Sequence, residues 1–363
     1  MVKIFRWLVV LALCINLKAE SYEDTQTLQQ EDNLMTNRTI LVTGGAGYIG
    51  SHVCYYLQQQ GWNPVTFDNF STGHRNSVRF GPLVEGDLLV PDDILQAMVQ
   101  YQPVAVMHLA SFIQVGESVK DPLKYYQNNV TGMVNLLQAM RDQKVNYMIF
   151  SSSAAVYGNP VYTPIDENHP CHPINPYGQT KWMIEQILKD CDKANGLKSV
   201  SLRYFNAAGA APAQGLGEAH EPESHLIPLM IQAAQNNDST HPLKIFGQDY
   251  VTRDGTCLRD YIHILDLADA HLKALDYLQR GGETLSVNLG SGNGTTNLEM
   301  VQHIKNLFEV DVPFKYADRR EGDPAVLLST YTKAEEVLGW KPTRTIEQIL
   351  QDAWQWHQKP KDE

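Results

Sequence analysis

The feature that most limits the folds open to this chain is a strand that runs straight into a glycine-rich turn and a helix. Thr39-Ile40-Leu41-Val42-Thr43 is short, apolar and β-branched, Gly44-Gly45-Ala46-Gly47-Tyr48-Ile49-Gly50 follows without a gap, and a helical pattern continues to about Gln60. Lacking side chains, Gly44, Gly47 and Gly50 let the backbone turn tightly and approach a pyrophosphate. The helix start behind them offers unpaired N–H groups and the positive end of a dipole. The spacing is GxxGxxG, not the commoner GxGxxG, and on its own such a turn needs no ligand.

The strand and helix signals recur down the chain. Pro64-Val65-Thr66-Phe67 is a second strand ending in Asp68, and Val84-Glu85-Gly86-Asp87-Leu88 supplies a third. Val104 to Ala110 gives a fourth and Tyr147 to Ser153 a fifth, with helical patterns near Asp92 to Gln100 and Pro122 to Gln143. Strands and helices alternating at this length predict an α/β fold, a doubly wound parallel sheet of the Rossmann type, with ligands at the carboxyl ends of the strands. Asp68 lies at the distance expected of an acidic residue that holds the adenosine ribose hydroxyls. A carboxylate there repels a 2′-phosphate, so NAD is expected over NADP. Asp87 is expected near the adenine.

Just past the fifth strand comes Ser151-Ser152-Ser153-Ala154-Ala155-Val156-Tyr157-Gly158, where a serine can order a substrate hydroxyl against a base. Downstream, Asn175-Pro176-Tyr177-Gly178-Gln179-Thr180-Lys181 places Tyr177 and Lys181 one turn apart on a helix face. A free phenol has a pKa of about 10, and a neighbouring cation favours the phenolate, which suits acid/base work near neutrality. Taken singly, a solvated pair accounts for the Tyr-x-x-x-Lys spacing and turn capping accounts for the serines. Their order after the glycine turn joins them to the dinucleotide reading.

Composition bounds the partners. A formal charge of 29 − 41 = −12 gives no sign of nucleic-acid binding, so an anionic substrate needs local arginines. The five cysteines show no paired CxxC spacing, so neither a disulfide framework nor a metal site is indicated.

The glycine turn, the serine strand end and Tyr-x-x-x-Lys are followed by Leu202-Arg203-Tyr204-Phe205-Asn206, Arg259-Asp260-Tyr261-Ile262-His263 and Arg319-Arg320-Glu321-Gly322-Asp323. Together these blocks resemble the UDP-glucose 4-epimerases of the extended short-chain dehydrogenase/reductase group, from about Thr39 to Trp356. The resemblance implies a UDP-sugar substrate, bound NAD and a homodimer, with helices near Leu95 to Gln100 and Val119 to Arg141 at the interface. It implies catalytic roles for Ser153, Tyr177 and Lys181: Tyr177 takes the proton of the sugar 4-hydroxyl, Lys181 holds the nicotinamide ribose and keeps the phenol pKa down, and Ser153 shares the hydroxyl proton. Around the cofactor it implies contacts from Tyr48, Ile49, Asn69 and Leu88, and from Leu109, Ala110, Asn128 and Phe205. For the substrate it implies Arg259 and Arg320 on the pyrophosphate, Asp323 on the uridine ribose, Ile245 and Phe246 beside the uracil, and further contacts from Asn206 and the Leu226 region.

Three positions depart from the pattern of some members. Ile113 stands where a phosphate-touching lysine is found, Ala155 replaces a threonine, and Leu327 replaces a bulky tyrosine that narrows the sugar pocket. The smaller Leu327 is expected to admit an N-acetyl group. A nucleotide-sugar 4,6-dehydratase needs an acid/base pair after the serine, where this chain has Ala154 and Ala155. Epimerisation of a related UDP-sugar such as a uronate is the nearer alternative. A non-catalytic dinucleotide sensor is the rival of another class, though this chain keeps both tyrosine and lysine.

Residues 36–205 are expected to form the NAD-binding domain. Residues 206–363 are expected to form mainly a smaller α/β nucleotide-sugar-binding domain, with Leu285 to Gly290 returning to the main sheet. Residues 1–35 read as a leader or a disordered extension: Lys3 and Arg6 precede an apolar run from Trp7 to Ile15, and Leu17-Lys18-Ala19 resembles a cleavage site. The run is too short to span a bilayer comfortably. An extension upstream of Met35 and a cytoplasmic location are expected, with export or tethering as the alternative.

Overall fold

The computed structural model describes residues 38–236, 242–320 and 323–358, so the leader-like segment, Glu321 and Gly322 lie outside the described residues. From Thr39 the chain forms one unit. Strand β1 (Thr39–Thr43) is nearly all buried, as its unbroken apolar run requires of a parallel strand covered on both faces. Its side chains alternate between two cores. Ile40 and Val42 pack with Val53 and Leu57 of helix α1 (Tyr48–Gln59), whereas Leu41 faces the opposite cluster.

Strands β2 (Asn63–Asp68), β3 (Leu83–Glu85), β4 (Ala105–His108), β5 (Tyr147–Ser151), β6 (Lys198–Tyr204) and β10 (Leu285–Leu289) join β1 in one seven-stranded sheet of order β10-β6-β5-β4-β1-β2-β3. All its pairings are parallel. This is the expected doubly wound sheet. The chain leaves β1 toward β2 and β3, then returns to the other side of β1 as β4, which opens a crevice at the carboxyl ends of β1 and β4.

Helix α2 (Pro91–Tyr101) packs with α3 (Gly132–Asp142) on one face of the sheet. The helical pattern expected from Pro122 to Gln143 is present: a short helix at Pro122–Tyr125 passes through a π-helical stretch, Tyr126–Thr131, into α3. Helix α4 (Pro176–Asn195) begins on Asn175, whose Oδ1 accepts from Gly178 N at 2.8 Å, with Pro176 in its first turn. Along it Lys181, Ile184, Glu185 and Leu188 form a buried stripe.

The later chain builds a smaller layer. Strand β9 (Leu258–His263) pairs with β7 (Asn206–Ala208), β11 (Gly294–Thr296) and β13 (Val326–Leu327), and β8 (Leu243–Phe246) pairs in parallel with β12 (Phe314–Ala317). Helices α5 (Leu226–Asn236), α7 (Asn297–Phe308) and α8 (Ile346–His357) enclose a separate core around Met230, Ile304 and Leu350. Between α5 and α7, α6 (Ile264–Gln279) packs on α1 against the main sheet. Among the described residues no helix is long and apolar enough to cross a membrane.

Candidate active site

The glycine turn leaves a cradle at the carboxyl end of β1. Gly44 has φ of +74°, and a Cβ on it would lie 2.5 Å from the Ala110 amide nitrogen. A Cβ on Gly50 would lie 2.1 Å from the Gly44 carbonyl oxygen. Both positions therefore need glycine for close packing. Helix α1 starts from Gly47 with no side-chain cap, which leaves its amino end to an anionic group. Asp68, at the end of β2, accepts from the Ala46 amide at 3.0 Å and the Phe70 amide at 2.8 Å. Burial pushes its pKa up while these two N–H bonds oppose the rise. Asn69 donates to Asp87 at 3.0 Å beside it. This cradle, with an acidic strand end alongside, fits a dinucleotide.

Other expected cofactor contacts are placed less directly. The Tyr48 hydroxyl donates to the Gly209 carbonyl at 2.7 Å and ties α1 to the later chain. Leu88 points into the core, so any contact it makes with a ligand runs through its backbone, and Ile49 packs partly against the main cluster. Leu109 and Ala110 follow β4 across from the turn, the Leu109 amide donating to Thr43 O at 2.9 Å. Asn128 donates to Asn129 Oδ1 at 2.9 Å.

The strand-end serine and the helix pair come together. Ser153 caps a single turn, Ala154–Tyr157, accepting from the Ala155 amide at 3.1 Å, and it lines the same cavity as Tyr177. Lys181 is 2% exposed; Nζ donates to the Ser151 carbonyl at 2.8 Å and lies 5.8 Å from the centroid of the Tyr177 ring. Burial pushes Tyr177 up, Ser153 is the group that opposes the rise, and Lys181 itself is lowered by burial to about 7. Beside it His108 is neutral, lowered to about 3 by burial and then by the Lys181 charge, with Nδ1 2.7 Å from Thr43 Oγ1.

A cavity of about 1120 Å³ opens from this group into the later chain. Ser153, Tyr177 and Phe205 line it, as do Asn206 and Leu226, and farther on Phe246, Arg259, Arg320, Asp323 and Leu327. Arg259 Nη2 pairs with Asp323 Oδ1 at 2.6 Å, and the Arg320 guanidinium lies 3.9 Å from the centre of the Phe246 ring. The Asn206 side chain donates to the Asp260 carbonyl at 2.8 Å. Ile245 is a correction: it is 1% exposed and packs in the core with Met230 and Ile231, because alternation along β8 sends it away from Lys244 and Phe246, which do line the cavity.

Two supporting groups were not singled out in the sequence. Asn129, in the π-helical stretch, accepts from the Phe112 amide at 2.9 Å and donates to Thr180 Oγ1 at 3.1 Å, which braces α4 between Tyr177 and Lys181. Behind the serines, Glu185 accepts from Arg203 (2.5 Å and 2.9 Å), Ser152 (2.6 Å) and Ser286 (2.9 Å), a buried charge pair with its lone pairs filled. Glu185 does lie four residues beyond Lys181, the spacing that continues one helix face.

The chain is similar to known proteins over most of its length. The profile of the NAD dependent epimerase/dehydratase family matches residues 40–290. A UDP-glucose 4-epimerase of Rhizobium leguminosarum bv. trifolii is 50% identical over 325 residues, covering 90% of this chain and 99% of its own. The crystal structure of the Brucella ovis UDP-glucose 4-epimerase in complex with NAD superposes with a TM-score of 0.84 at 47% identity, over 87% of this chain and 97% of that one. The UDP-Glc/GlcNAc 4-epimerase of Campylobacter jejuni gives a TM-score of 0.77 at 38% identity, over 88% and 99%.

Proposed function

The chain belongs to the NAD-dependent epimerase/dehydratase family, among the UDP-glucose 4-epimerases, and from that premise we propose that it interconverts UDP-glucose and UDP-galactose by inverting C4. One observation carries the reading: Ser153 and Tyr177 line one part of a cavity that Arg259, Arg320 and Asp323 also line. A ligand with a sugar at one end and a nucleoside diphosphate at the other matches that distribution of hydroxyls and charges.

Tyr177 takes the proton of the sugar's 4-hydroxyl as the C–H bond at C4 breaks, with Ser153 ordering that hydroxyl, and a 4-keto sugar results. The glycine cradle and Asp68 would hold NAD, which would supply the hydride acceptor and donor for C4. Lys181 holds the nicotinamide ribose and fixes the site from behind through Ser151. Arg259, Arg320 and Asp323 keep the nucleotide in place while the hexose turns over, so the proton returns from Tyr177 after the opposite face of the ketone is presented. Ala154 and Ala155 carry no proton, and loss of water is therefore left without an acid/base partner. The assay is interconversion of UDP-glucose and UDP-galactose followed by NMR. Tyr177→Phe is expected to lower kcat about 10²–10⁴-fold with little change in KM. An inactive parent chain would overturn the assignment.

A second substrate reading rests on Leu327, which lines the cavity and packs against the Ala154 and Val156 cluster; a side chain smaller than tyrosine there would admit an N-acetyl group. UDP-N-acetylglucosamine and UDP-N-acetylgalactosamine are then also interconverted. We assign the cofactor to residues 36–205 and the nucleotide sugar mainly to 206–363. A homodimer would cover Leu95, Val99, Val119, Leu123 and Val134, which are exposed on and beside α2 and α3. The catalytic unit acts in the cytoplasm, where nucleotide cofactor is kept.

A further inference from the structure

Away from the Ser153–Tyr177–Lys181 group, the loop that leads into α5 reads Glu218-Ala219-His220-Glu221-Pro222-Glu223-Ser224-His225. Its two imidazoles and two carboxylates converge: one donor atom from each of Glu218, His220, Glu223 and His225 lies within 4.8 Å of every other. Both rings turn Nδ1 onto the same oxygen of Glu218, His220 at 3.1 Å and His225 in a shorter contact. The Glu218 side chain is only 7% exposed, so its charge is met chiefly by these rings.

The backbone under the cluster is fixed from outside the loop. Trp356 Nε1 donates to the Glu218 carbonyl at 2.8 Å, and His74 Nε2 sits 2.7 Å from the Ala219 carbonyl. Within it, Glu223 Oε1 accepts from the Ser224 and His225 amides at 2.7 Å and 2.9 Å, which orients that carboxylate.

We propose that Glu218, His220, Glu223 and His225 bind one divalent transition-metal ion of the zinc class, as a structural site. Imidazole nitrogen with carboxylate oxygen is a zinc donor set, whereas calcium and magnesium take oxygen alone and soft ions take sulfur. Four protein donors fill a tetrahedral shell, which is the arrangement of a structural rather than a catalytic ion. Bonds of about 2.0–2.1 Å put tetrahedral donors roughly 3.3 Å apart. The His220–Glu218 contact is already near that value, and the half-exposed His225 ring has room to swing. The ion takes the place of the protons that now join the rings to Glu218.

The position gives the ion a task. His225 lines the substrate cavity and Leu226 begins α5, while the His220 ring stands edge-on to Tyr48 of α1, centroids 6.3 Å apart. A metal here fastens the cavity wall to the helix that starts at the glycine turn. Cysteine spacing gave no hint of the site because its donors are histidine and glutamate.

The test uses the full chain, purified without a histidine tag or chelator, loaded with zinc chloride and desalted. Metal analysis is expected to find one zinc per chain, and magnesium should not substitute. Cobalt(II) should give the intense visible bands of a tetrahedral site. EDTA should lower the thermal midpoint and zinc should restore it. Glu218→Gln, His220→Asn and Glu223→Gln should each weaken zinc binding by about 100-fold or more. The loading and chelation arms need no variant and decide the matter even if a variant fails to fold. Loaded parent protein without bound zinc overturns the proposal, and so does zinc held equally by all three variants.

Discussion

Replacing Lys181 with methionine should stabilise the ligand-free protein near neutral pH while ending turnover. The amine is buried, and burial lowers its pKa from 10.5 to about 7. That gap of about 3.5, at about 1.4 kcal/mol for each tenfold change in the acid constant, amounts to about 5 kcal/mol lost to folding at pH 7 and below. The sign follows from proton counts. Between about pH 7 and pH 10.5 the unfolded chain keeps the lysine proton and the folded site releases it, so the parent gains stability as pH rises and the penalty vanishes above that window. The neighbouring titratable groups stay neutral over this range, since burial pushes Tyr177 up and lowers His108 to about 3. Methionine fills similar space without titrating, but it leaves the Ser151 carbonyl without the 2.8 Å donor, which costs about 1–3 kcal/mol. A net gain of about 2–4 kcal/mol is therefore expected near pH 7, shrinking and then reversing toward pH 10. Urea unfolding of NAD-free parent and variant across that range measures it. A variant no more stable than the parent near pH 7, or a difference that does not change with pH, refutes the argument.

At the cradle, Gly50→Ala puts a Cβ 2.1 Å from the Gly44 carbonyl oxygen, and the backbone shift it forces should weaken NAD binding about tenfold or more; calorimetry finding parent-like affinity would contradict this. Leu327→Tyr narrows the sugar end of the cavity and should cut the ratio of N-acetylhexosamine to plain hexose turnover by roughly tenfold or more, so an unchanged ratio ends the N-acetyl reading. Glu185→Leu or Arg203→Met alone strands one buried charge and should cost about 3–5 kcal/mol. The double variant should cost much less than the two losses added, and additive losses in denaturant unfolding would show that the pair does not act as a unit.

The parts of the fold that announce themselves in the sequence are those where one physical requirement acts on neighbouring residues. The β1 run, the glycine cradle and Asp68 are local in this sense: burial on both sheet faces, close backbone approach and the end of the adjacent strand each leave a mark on a few consecutive positions. What stays hidden depends on residues far apart. Ile245 turns inward because its face of β8 is covered by Met230 and Ile231 of α5, and Leu243 meets Phe314 of β12 across a long stretch of intervening chain. The helix expected across Pro122 to Gln143 widens into a π-helical stretch at Tyr126–Thr131, where Asn129 reaches Phe112 and Thr180, partners no periodicity in that segment reveals. Trp354 and Trp356 also separate only in space: Trp354 stacks on Phe308 with centroids 4.2 Å apart, while Trp356 reaches back to Glu218.

Three consecutive serines show how the same local signal divides into different tasks. Ser151 closes β5, gives its carbonyl to Lys181 and joins its hydroxyl to Tyr204. Ser152 turns to the other side and donates to Glu185, which Arg203 holds from β6. Ser153, one residue beyond, leaves the sheet, caps the Ala154–Tyr157 turn and meets Tyr177 at the cavity. The alternation of a strand accounts for the opposed directions of the first two, and the strand's end accounts for the third. Substituting Ser152 should therefore unsettle the Glu185 pair and stability, whereas substituting Ser153 should reach the reaction directly, because only its hydroxyl stands with Tyr177 where a sugar oxygen can come between them.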